Sequence, residues 1–338
     1  MDSLSQLVLG ASIGHVVLGS EIGRKALLVG AVLGTVPDLD VLVRYPDAVD
    51  SFTYHRSYSH SVFVLTLFSA VAGWVIWWMG QRKAWKLSLH KCLMASWLCL
   101  ITHVLLDSFT IYGTQIFWPL PVDPVAVGSI FIIDPIYTLP LLVAVLLTVR
   151  SVKQYSRRAT VFALLISTSY LGLTVLLQES VRTLTLDSLA AENRSVPSDK
   201  LLVAPSPFSL MWRLVVLEED NYREGFYSVF DKEPLVQFYD YPNGSEWMAE
   251  QGELPALARL HWFTDGFIAA EATSDGLVLT DLRMGLEAAY VFRFRVAANT
   301  ETGFVPIVSE VIRFAPNQER VKKLLARLFD QSVDMSLK

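Results

Sequence analysis

The sequence predicts a polytopic α-helical membrane domain of four to six segments, followed by a soluble α+β domain rich in antiparallel strands. The 338 residues are 52% hydrophobic with a mean hydropathy of +0.40, which is more apolar than a typical soluble chain of this length. Charge also divides the chain. Residues 1–178 carry 12 basic and 9 acidic side chains (net +3), whereas residues 179–338 carry 16 and 24 (net −8). We therefore expect two domains, at residues 1–180 and 181–338.

Apolar runs of about 20 residues, the length needed to cross a bilayer, occur only in the first domain. Two shorter or interrupted runs, residues 7–19 and 26–43, are either short spans or segments buried against the other helices. The prediction is four secure membrane segments and up to six in total. The four secure runs are residues 60–79, 87–106, 129–149 and 160–178.

Basic side chains cluster in two loops, at residues 82–91 and 150–158. Loops rich in lysine and arginine remain on the cytoplasmic side of a membrane. The alternation of segments then predicts that the second domain is extracytoplasmic, which is periplasmic in a Gram-negative cell.

The acidic second half shows strand-like and helical patterns in alternation with turn residues. The stretch from Val291 to Val296 alternates apolar and charged residues, as a half-buried strand does. No basic face is evident, so we expect no nucleic-acid partner. The predicted strands are residues 209–218, 222–231, 261–273, 276–283 and 288–298, and the predicted helices are residues 246–260 and 318–329.

Seven ionisable side chains of metal-ligand type lie within or beside the apolar runs. An ionisable group at membrane depth costs about 2.5–3.5 kcal/mol on insertion scales, unless it pairs, binds a ligand or lines a wet cavity. The concentration of such residues in the membrane half predicts a metal site. The candidate ligands are His15, Asp38, Asp40, His55, His60, His103 and Asp107.

The pair His103 and Asp107 is the clearest local signal, because a spacing of four residues places both on one helix face. The pair can chelate a divalent ion, or it can simply form a hydrogen bond that satisfies two buried groups. His55 and His60 are expected at the entrance of the third membrane segment. Imidazole is a preferred ligand of zinc and similar ions.

Asp38 and Asp40 follow Pro37, which breaks the second segment and lets two carboxylates turn towards one point. They could bind one ion each or bridge two, although a solvated loop entry would also explain one of them. His15 lies deeper. It shares its segment with three glycines that allow close helix approach, which favours a ligand role over a merely buried histidine.

Two further residues are candidates for roles beside the metal. Arg56 lies between two candidate ligands, and its planar, permanently charged fork suits an anionic group or phosphate. Asp134 could orient a ligating histidine or act as a favourable charge at a helix N-terminus. The loop at residues 109–121 is either a plain interfacial loop or a substrate lid.

The combined motifs also resemble a known family. Gly34-x-x-Pro37-Asp-x-Asp40 is followed by His55-Arg56-x-x-Ser59-His60-Ser61, His103-x-x-x-Asp107, Tyr112-Gly-Thr-Gln115 and Asp134-Pro135. This series is similar to the bacterial inner-membrane metal-dependent hydrolases of the YdjM/YfhP type, also described as LexA-binding, over about residues 1–180. More distantly, the ligand order resembles zinc-dependent phospholipase C and P1-type nucleases. Those enzymes carry further histidines that the membrane half lacks after Asp107, so one or two ions are expected here.

The resemblance implies a multi-pass protein of the bacterial inner membrane and a hydrolytic activity. The expected function is that of a metal-dependent hydrolase acting on a phosphoester or related ester at the membrane surface through metal-activated water. Zinc is the expected metal, with manganese or magnesium as alternatives. Membrane lipids and a lipid or phosphoester substrate are the expected partners. The alternative is a non-catalytic membrane scaffold or regulator, with a structural metal and a second domain that binds a protein partner.

Overall fold

A computed structural model describes residues 1–150, 156–252, 254–301, 303–313 and 318–336. Its contacts divide the chain into two compact units. The membrane unit comprises Met1–Val43, His55–Val127 and Ile132–Thr174, and the second unit comprises Arg44–Tyr54, Gly128–Phe131 and Val175–Lys338. The second unit thus begins a few residues before the expected boundary at residue 180, and it takes in two short segments from the first half of the chain.

Helices form the membrane unit, and among the described residues four of them are long and apolar enough to cross a bilayer: α1, α4, α5 and α7. Half or more of α1 and α5 is buried inside the protein, whereas α4 and α7 leave most of their apolar side chains exposed. The helices α1 and α5 therefore form the centre of the unit. The helices are α1 (Ser3–Ile22), α2 (Lys25–Thr35), α4 (Val62–Arg82), α5 (Leu89–Ser108), α6 (Pro135–Arg150) and α7 (Ser156–Ala191), while α3 (Ala48–Tyr54) belongs to the second unit.

The four long helices are not the four that the apolar runs predict. The run at residues 129–149 yields only the 16-residue α6, which begins at Pro135. Proline disfavours a helical conformation in the residue before it, and the Asp134 carboxylate accepts a hydrogen bond from the Ile136 amide at 2.9 Å. The run at residues 7–19 extends into a 20-residue helix, because Asp2 caps it at the amides of Leu4 and Ser5.

The run at residues 26–43 does not continue as one helix. Helix α2 ends at Thr35, and Pro37 opens a 3-10 helix over Pro37–Leu42 that carries the two aspartates. The basic loop that was predicted between the last two membrane segments includes Lys153, which lies outside the described residues.

Four glycines let α1 and α2 pack backbone against backbone. A methyl group at Gly30 would lie 2.0 Å from the Gly10 carbonyl oxygen, and one at Gly14 would lie 2.6 Å from the Ala26 carbonyl oxygen. A methyl group at Gly34 would lie 2.7 Å from the Gln6 carbonyl oxygen. Two small-xxx-small faces therefore meet at a separation that excludes any side chain.

Substitution of Gly30 by alanine should destabilise the membrane unit by about 1–3 kcal/mol, the usual cost of overpacking, because the atoms that the new methyl group would meet all belong to backbone. Gly172→Ala is the matched control, since a methyl group there meets nothing within 4 Å. Thermal unfolding of the full chain in detergent measures the difference. Equal melting temperatures for the two variants would contradict the tight contact of α1 with α2.

Two four-stranded antiparallel sheets form the second unit, with strand orders β1-β2-β3-β4 and β5-β6-β7-β8. Leu324 of α10 and Leu328, which directly follows that helix, pack with Met211 and Phe226 of the first sheet. The first sheet contains β1 (Leu201–Pro205), β2 (Met211–Leu217), β3 (Asn221–Ser228) and β4 (Phe238–Pro242). The second contains β5 (Ile268–Thr273), β6 (Gly276–Asp281), β7 (Arg293–Thr300) and β8 (Gly303–Val311); the helices are α8 (Ser245–Glu250), α9 (Pro255–Phe263) and α10 (Gln318–Arg327).

The predicted α+β fold with antiparallel strands is confirmed, but two boundaries were wrong. Residues 261–267, predicted as the start of a strand, complete α9 and the turn after it, and β5 begins only at Ile268. The single helix predicted at residues 246–260 is two helices, because Pro255 starts a new one.

Candidate metal centre

Four of the seven predicted ligands meet at one point. Asp38, His60, His103 and Asp107 each offer one ligand atom, and these four atoms all lie within 4.8 Å of one another. The two histidine Nε2 atoms are 3.3 Å apart. His60 Nε2 lies 3.2 Å from Asp107 Oδ2 and 3.6 Å from Asp38 Oδ1, and His103 Nε2 lies 3.4 Å from each of the same two oxygens.

The four side chains come from two 3-10 helices and from α5. Asp38 lies on the 3-10 helix that follows α2, and His60 ends the short 3-10 helix Tyr58–His60 just before α4. His103 and Asp107 lie one turn apart on α5, as their spacing predicts. The side chains of His60, His103 and Asp107 are fully buried, and that of Asp38 is 23% exposed. The cluster therefore opens only on the side of Asp38.

Hydrogen bonds to the outer ring nitrogens fix both histidine tautomers. His103 Nδ1 lies 2.7 Å from the Gly34 carbonyl oxygen, which can only accept, so Nδ1 carries the proton. Ser59 Oγ donates to Asp40 Oδ2 at 2.6 Å and so accepts from His60 Nδ1 at 2.9 Å. In its neutral form, each ring therefore turns an unprotonated Nε2 towards the cluster, which is how a metal-binding histidine is usually held.

Asp107 is held by donors on its other oxygen. Oδ1 accepts from Gln6 Nε2 at 3.0 Å, pairs with Arg56 Nη2 at 3.2 Å, and contacts the amino group of Met1. Oδ2, the atom that faces the two histidines, is buried and has no hydrogen-bond donor among the described residues. A buried carboxylate oxygen without a donor is costly, and a cation at the centre of the cluster would offset that cost.

The donor set fits a metal ion. Two imidazole Nε2 atoms and two carboxylate oxygens converge, and with both rings neutral such a group is repulsive unless a cation occupies its centre. A tetrahedral zinc ion with bonds of about 2.0–2.1 Å sets its ligand atoms about 3.3–3.4 Å apart. The five measured separations, 3.2–3.6 Å, match that spacing.

Asp40 is not one of the four converging side chains; it contacts three residues of the loop that carries His60. Its carboxylate lies 2.9 Å from His55 Nδ1 and accepts from the Arg56 amide at 3.0 Å and from Ser59. Burial alone would raise the pKa of Asp40, but the hydrogen bonds from His55 and Ser59 outweigh it and lower the pKa to about 2. Asp40 and His55, predicted as ligands, are thus placed in the layer that supports His60.

The Arg56 side chain contacts the candidate ligand Asp107 and does not face solvent. Its guanidinium is buried, donates from Nη1 to Thr110 at 3.0 Å, and lies 4.9 Å from the Tyr112 ring centre. With Nη2 on Asp107, both terminal nitrogens are committed. The backbone of Arg56 is left-handed, with φ of +61°, a strained conformation that the surrounding hydrogen bonds maintain.

Two predicted site residues lie away from the cluster. His15 is buried in α1, and its Nδ1 lies 3.1 Å from Thr160 Oγ1 of α7. Asp134 caps α6 and accepts a hydrogen bond from the Tyr170 hydroxyl at 2.9 Å. The structure brings neither of them into contact with the four converging side chains.

Three supporting groups were missed by the sequence reasoning. Gln6 was detectable in principle, as an amide within an apolar helix, and it also donates to the His103 carbonyl oxygen at 3.1 Å. Ser59 belongs to the motif but had no assigned role. The third group is the backbone carbonyl of Gly34, which accepts from His103. A pattern of side chains cannot predict the role of a backbone group.

The fold and the cluster together define an integral membrane protein with a buried His/Asp site that could hold a metal ion. The sequence model of the YdjM inner membrane protein family matches residues 1–181, so the chain belongs to that family. This match confirms the resemblance to the YdjM/YfhP type that the motifs predicted, and the family is described as one of inner membrane proteins.

The chain is also similar to the uncharacterized protein YfhP of Bacillus subtilis (strain 168), with 26% identity over 142 residues. The similarity covers 40% of this chain and 42% of that protein, so the chain spans less than half the length of this relative. No solved structure matches the chain.

Substitution of Asp40 by asparagine should weaken metal binding about 10–100-fold, the usual effect of losing a group that orients a ligand. The amide would disturb the hydrogen bonds that fix Ser59 and, through it, His60. Asp123→Asn, at an exposed position of the same unit, is the control. Competition with a chromophoric zinc chelator measures both affinities, and equal values would show that Asp40 does not support the site.

Proposed function

We propose that this protein is a membrane-bound metal-dependent hydrolase that acts on a phosphoester or related ester at the membrane surface. The observation that carries the proposal is the convergence of two histidine nitrogens and two carboxylate oxygens within 4.8 Å of one another.

Zinc is the metal that this donor set suits best. Mixed nitrogen and oxygen ligands at tetrahedral spacing are typical of zinc, whereas magnesium prefers six oxygen ligands in an octahedron. The charges also balance, since Asp38 and Asp107 together neutralise a divalent ion. When bound, such an ion supplies Lewis acidity and makes water acidic enough to attack an ester at neutral pH.

The chain's own residues then have distinct roles. Asp38, with a side chain 23% exposed, marks the side from which a substrate would approach. The side chain of His55 is also partly exposed, at 26%. Its Nδ1 contacts the Asp40 carboxylate, which holds the ring in place. This pairing suits a group that transfers a proton to the leaving oxygen. Arg56, with both terminal nitrogens committed, is better suited to holding Asp107 in place than to clamping a substrate anion.

A structural metal site is the second candidate, and one observation favours it. Four protein ligands fill a tetrahedron, as in structural zinc sites, whereas catalytic zinc sites keep one position open. A catalytic site would also need room for water beside Asp38, His60, His103 and Asp107. In the structural reading the protein is a membrane scaffold or regulator.

Two measurements on the purified full chain test these proposals. Elemental analysis reports whether a transition metal is bound in about one equivalent per chain. Hydrolysis of bis(p-nitrophenyl) phosphate and of phospholipids in nanodiscs, before and after chelation and after return of zinc, reports activity. Turnover that follows the metal supports the hydrolase; bound metal without turnover of any of these substrates supports the structural site. A chain without metal that also fails to bind added zinc contradicts both.

The second unit is proposed to be extracytoplasmic. The basic side chains at residues 82–91, around the junction of α4 and α5, and those at the facing ends of α6 and α7 support this orientation, because such regions remain in the cytoplasm. Alkaline phosphatase fused after Lys338 should be active, since that enzyme requires an oxidising compartment. Activity of a cytoplasmic reporter at the same position would reverse the topology.

A further inference from the structure

The segment Arg44–Tyr54 connects two groups of site residues along the chain, yet it belongs to the second unit. The chain leaves the membrane unit after Val43, three residues beyond Asp40. It returns at His55, directly before Arg56. We call these eleven residues the docked segment; they include α3.

Aromatic packing anchors the docked segment within the second unit. The ring of Phe52 is buried, with its centre 5.0 Å from that of Phe263, 4.6 Å from that of Phe292 and 5.3 Å from that of Phe294. Phe263 ends α9, and Phe294 lies in β7. The docked segment therefore contributes a side chain to the core of the second unit.

Polar contacts fix the two ends of the docked segment. Near the first end, Asp47 Oδ2 accepts a hydrogen bond from the Ser309 amide of β8 at 2.8 Å. Near the second, Thr53 Oγ1 accepts from Arg259 Nε of α9 at 2.8 Å, and the same guanidinium lies 4.3 Å from the ring centre of Tyr54. Both ends are thus held by groups far away in the sequence.

This anchoring affects the cluster because His55 and Arg56 directly follow the docked segment in the chain. His55 and Arg56 must both reach Asp40, and Arg56 does so in a strained left-handed conformation. A free loop would have to lose conformational entropy to bring its ends together. When the interior of the loop is already fixed, most of this entropy is lost before the ends come together, so closing the loop costs less.

We propose that the docked segment is a positioning element through which the second unit controls the metal cluster. Docking of Phe52 and Thr53 sets His55 against Asp40 and Arg56 against Asp107. Metal binding and the order of the docked segment are therefore linked. This inference rests on the metal-binding part of the proposed function. Phe52 and Thr53 are positioning residues and do not touch the metal.

Linkage is reciprocal, so the effect is measurable in both directions. Loosening the docked segment weakens metal binding, and metal binding protects the docked segment from opening. The second direction needs no variant. Amide hydrogen exchange of residues 48–54, measured by mass spectrometry on the wild-type chain in detergent, should be slower with zinc than after chelation.

Thr53→Val tests the first direction. It removes the hydroxyl that accepts from Arg259, at a position with no exposed surface. We expect its zinc affinity, measured by competition with a chromophoric chelator on the full chain, to fall about tenfold. The matched control is Thr264→Val, another fully buried threonine of the second unit, whose hydroxyl donates to the Leu260 carbonyl oxygen outside the docked segment. Its zinc affinity should stay close to that of the wild type.

The outcomes separate this inference from the proposed function. If the wild type binds zinc but its exchange at residues 48–54 is unchanged, the linkage is overturned while the metal site stands. The linkage is also overturned if Thr53→Val binds zinc as well as Thr264→Val does. If Thr53→Val does not fold, Phe52→Leu and the wild-type exchange decide instead. A wild type that binds no zinc overturns both proposals.

Discussion

The variant His103→Asn should lose metal binding, with an affinity more than about 100-fold below that of the wild type. The change removes one of four converging donors, an effect that should exceed the 10–100-fold loss typical of supporting groups. It also leaves Asp38 and Asp107 facing one another with less compensation. Metal content after dialysis, measured by inductively coupled plasma mass spectrometry, reports the loss.

His15→Asn is the matched control for this experiment. His15 is also a buried histidine of the membrane unit, but its ring contacts Thr160 rather than the cluster. We expect this variant to keep its metal. Loss of metal from both variants, each still folded, would mean that the ligand set differs from the four side chains that converge here.

The variant Arg213→Met should destabilise the second unit by about 3–5 kcal/mol, the usual cost of breaking a buried ion pair by removing one partner. Arg213 Nε donates to Glu224 Oε1 at 2.5 Å, and both side chains are buried. Burial would lower the pKa of Arg213, but Glu224 outweighs it and raises the pKa above its ordinary value. Methionine would leave the Glu224 carboxylate charged and without this partner.

Arg293→Met provides the comparison, because it removes an arginine from an ion pair on the surface of the same unit. Arg293 donates to Glu271 at 2.7 Å, but their side chains are 35% and 61% exposed. Such pairs contribute about 0–1 kcal/mol. Amide exchange of β2 and β3 in the full chain should therefore accelerate strongly in the first variant only. Similar exchange in both would show that the buried pair adds little stability.

Periodicity and charge predicted the membrane half and the antiparallel second half, and the motifs predicted the family. They misjudged segments whose ends depend on single capping residues. Asp2 extends α1 beyond its apolar run, and Asp134 with Pro135 shortens α6. Three of the described strands were missed: β8, and the five-residue β1 and β4, which are too short for an alternation to stand out.

The ligand types were predictable, but their distribution between two layers was not. Asp38 and Asp40 are indistinguishable by type, and only the turn of the 3-10 helix sends one to the cluster and the other to Ser59. Arg56 was expected to hold an anion, because a sequence cannot show that Asp107 and Thr110 already occupy its terminal nitrogens. The contribution of the docked segment depends on contacts more than 200 residues apart along the chain.

The close contact of α1 with α2 has a consequence for biosynthesis. Only Gly23 and Arg24 separate these helices, so they can enter the membrane as one hairpin while the rest of the chain is still being translated. Domains fold in order from the N-terminus during synthesis. The carbonyl oxygen of Gly34 would then be in position before His103 exists, and it would receive a ring synthesised 69 residues later. In this order of events, the hairpin of α1 and α2 is in place first, and the candidate metal ligands assemble against it.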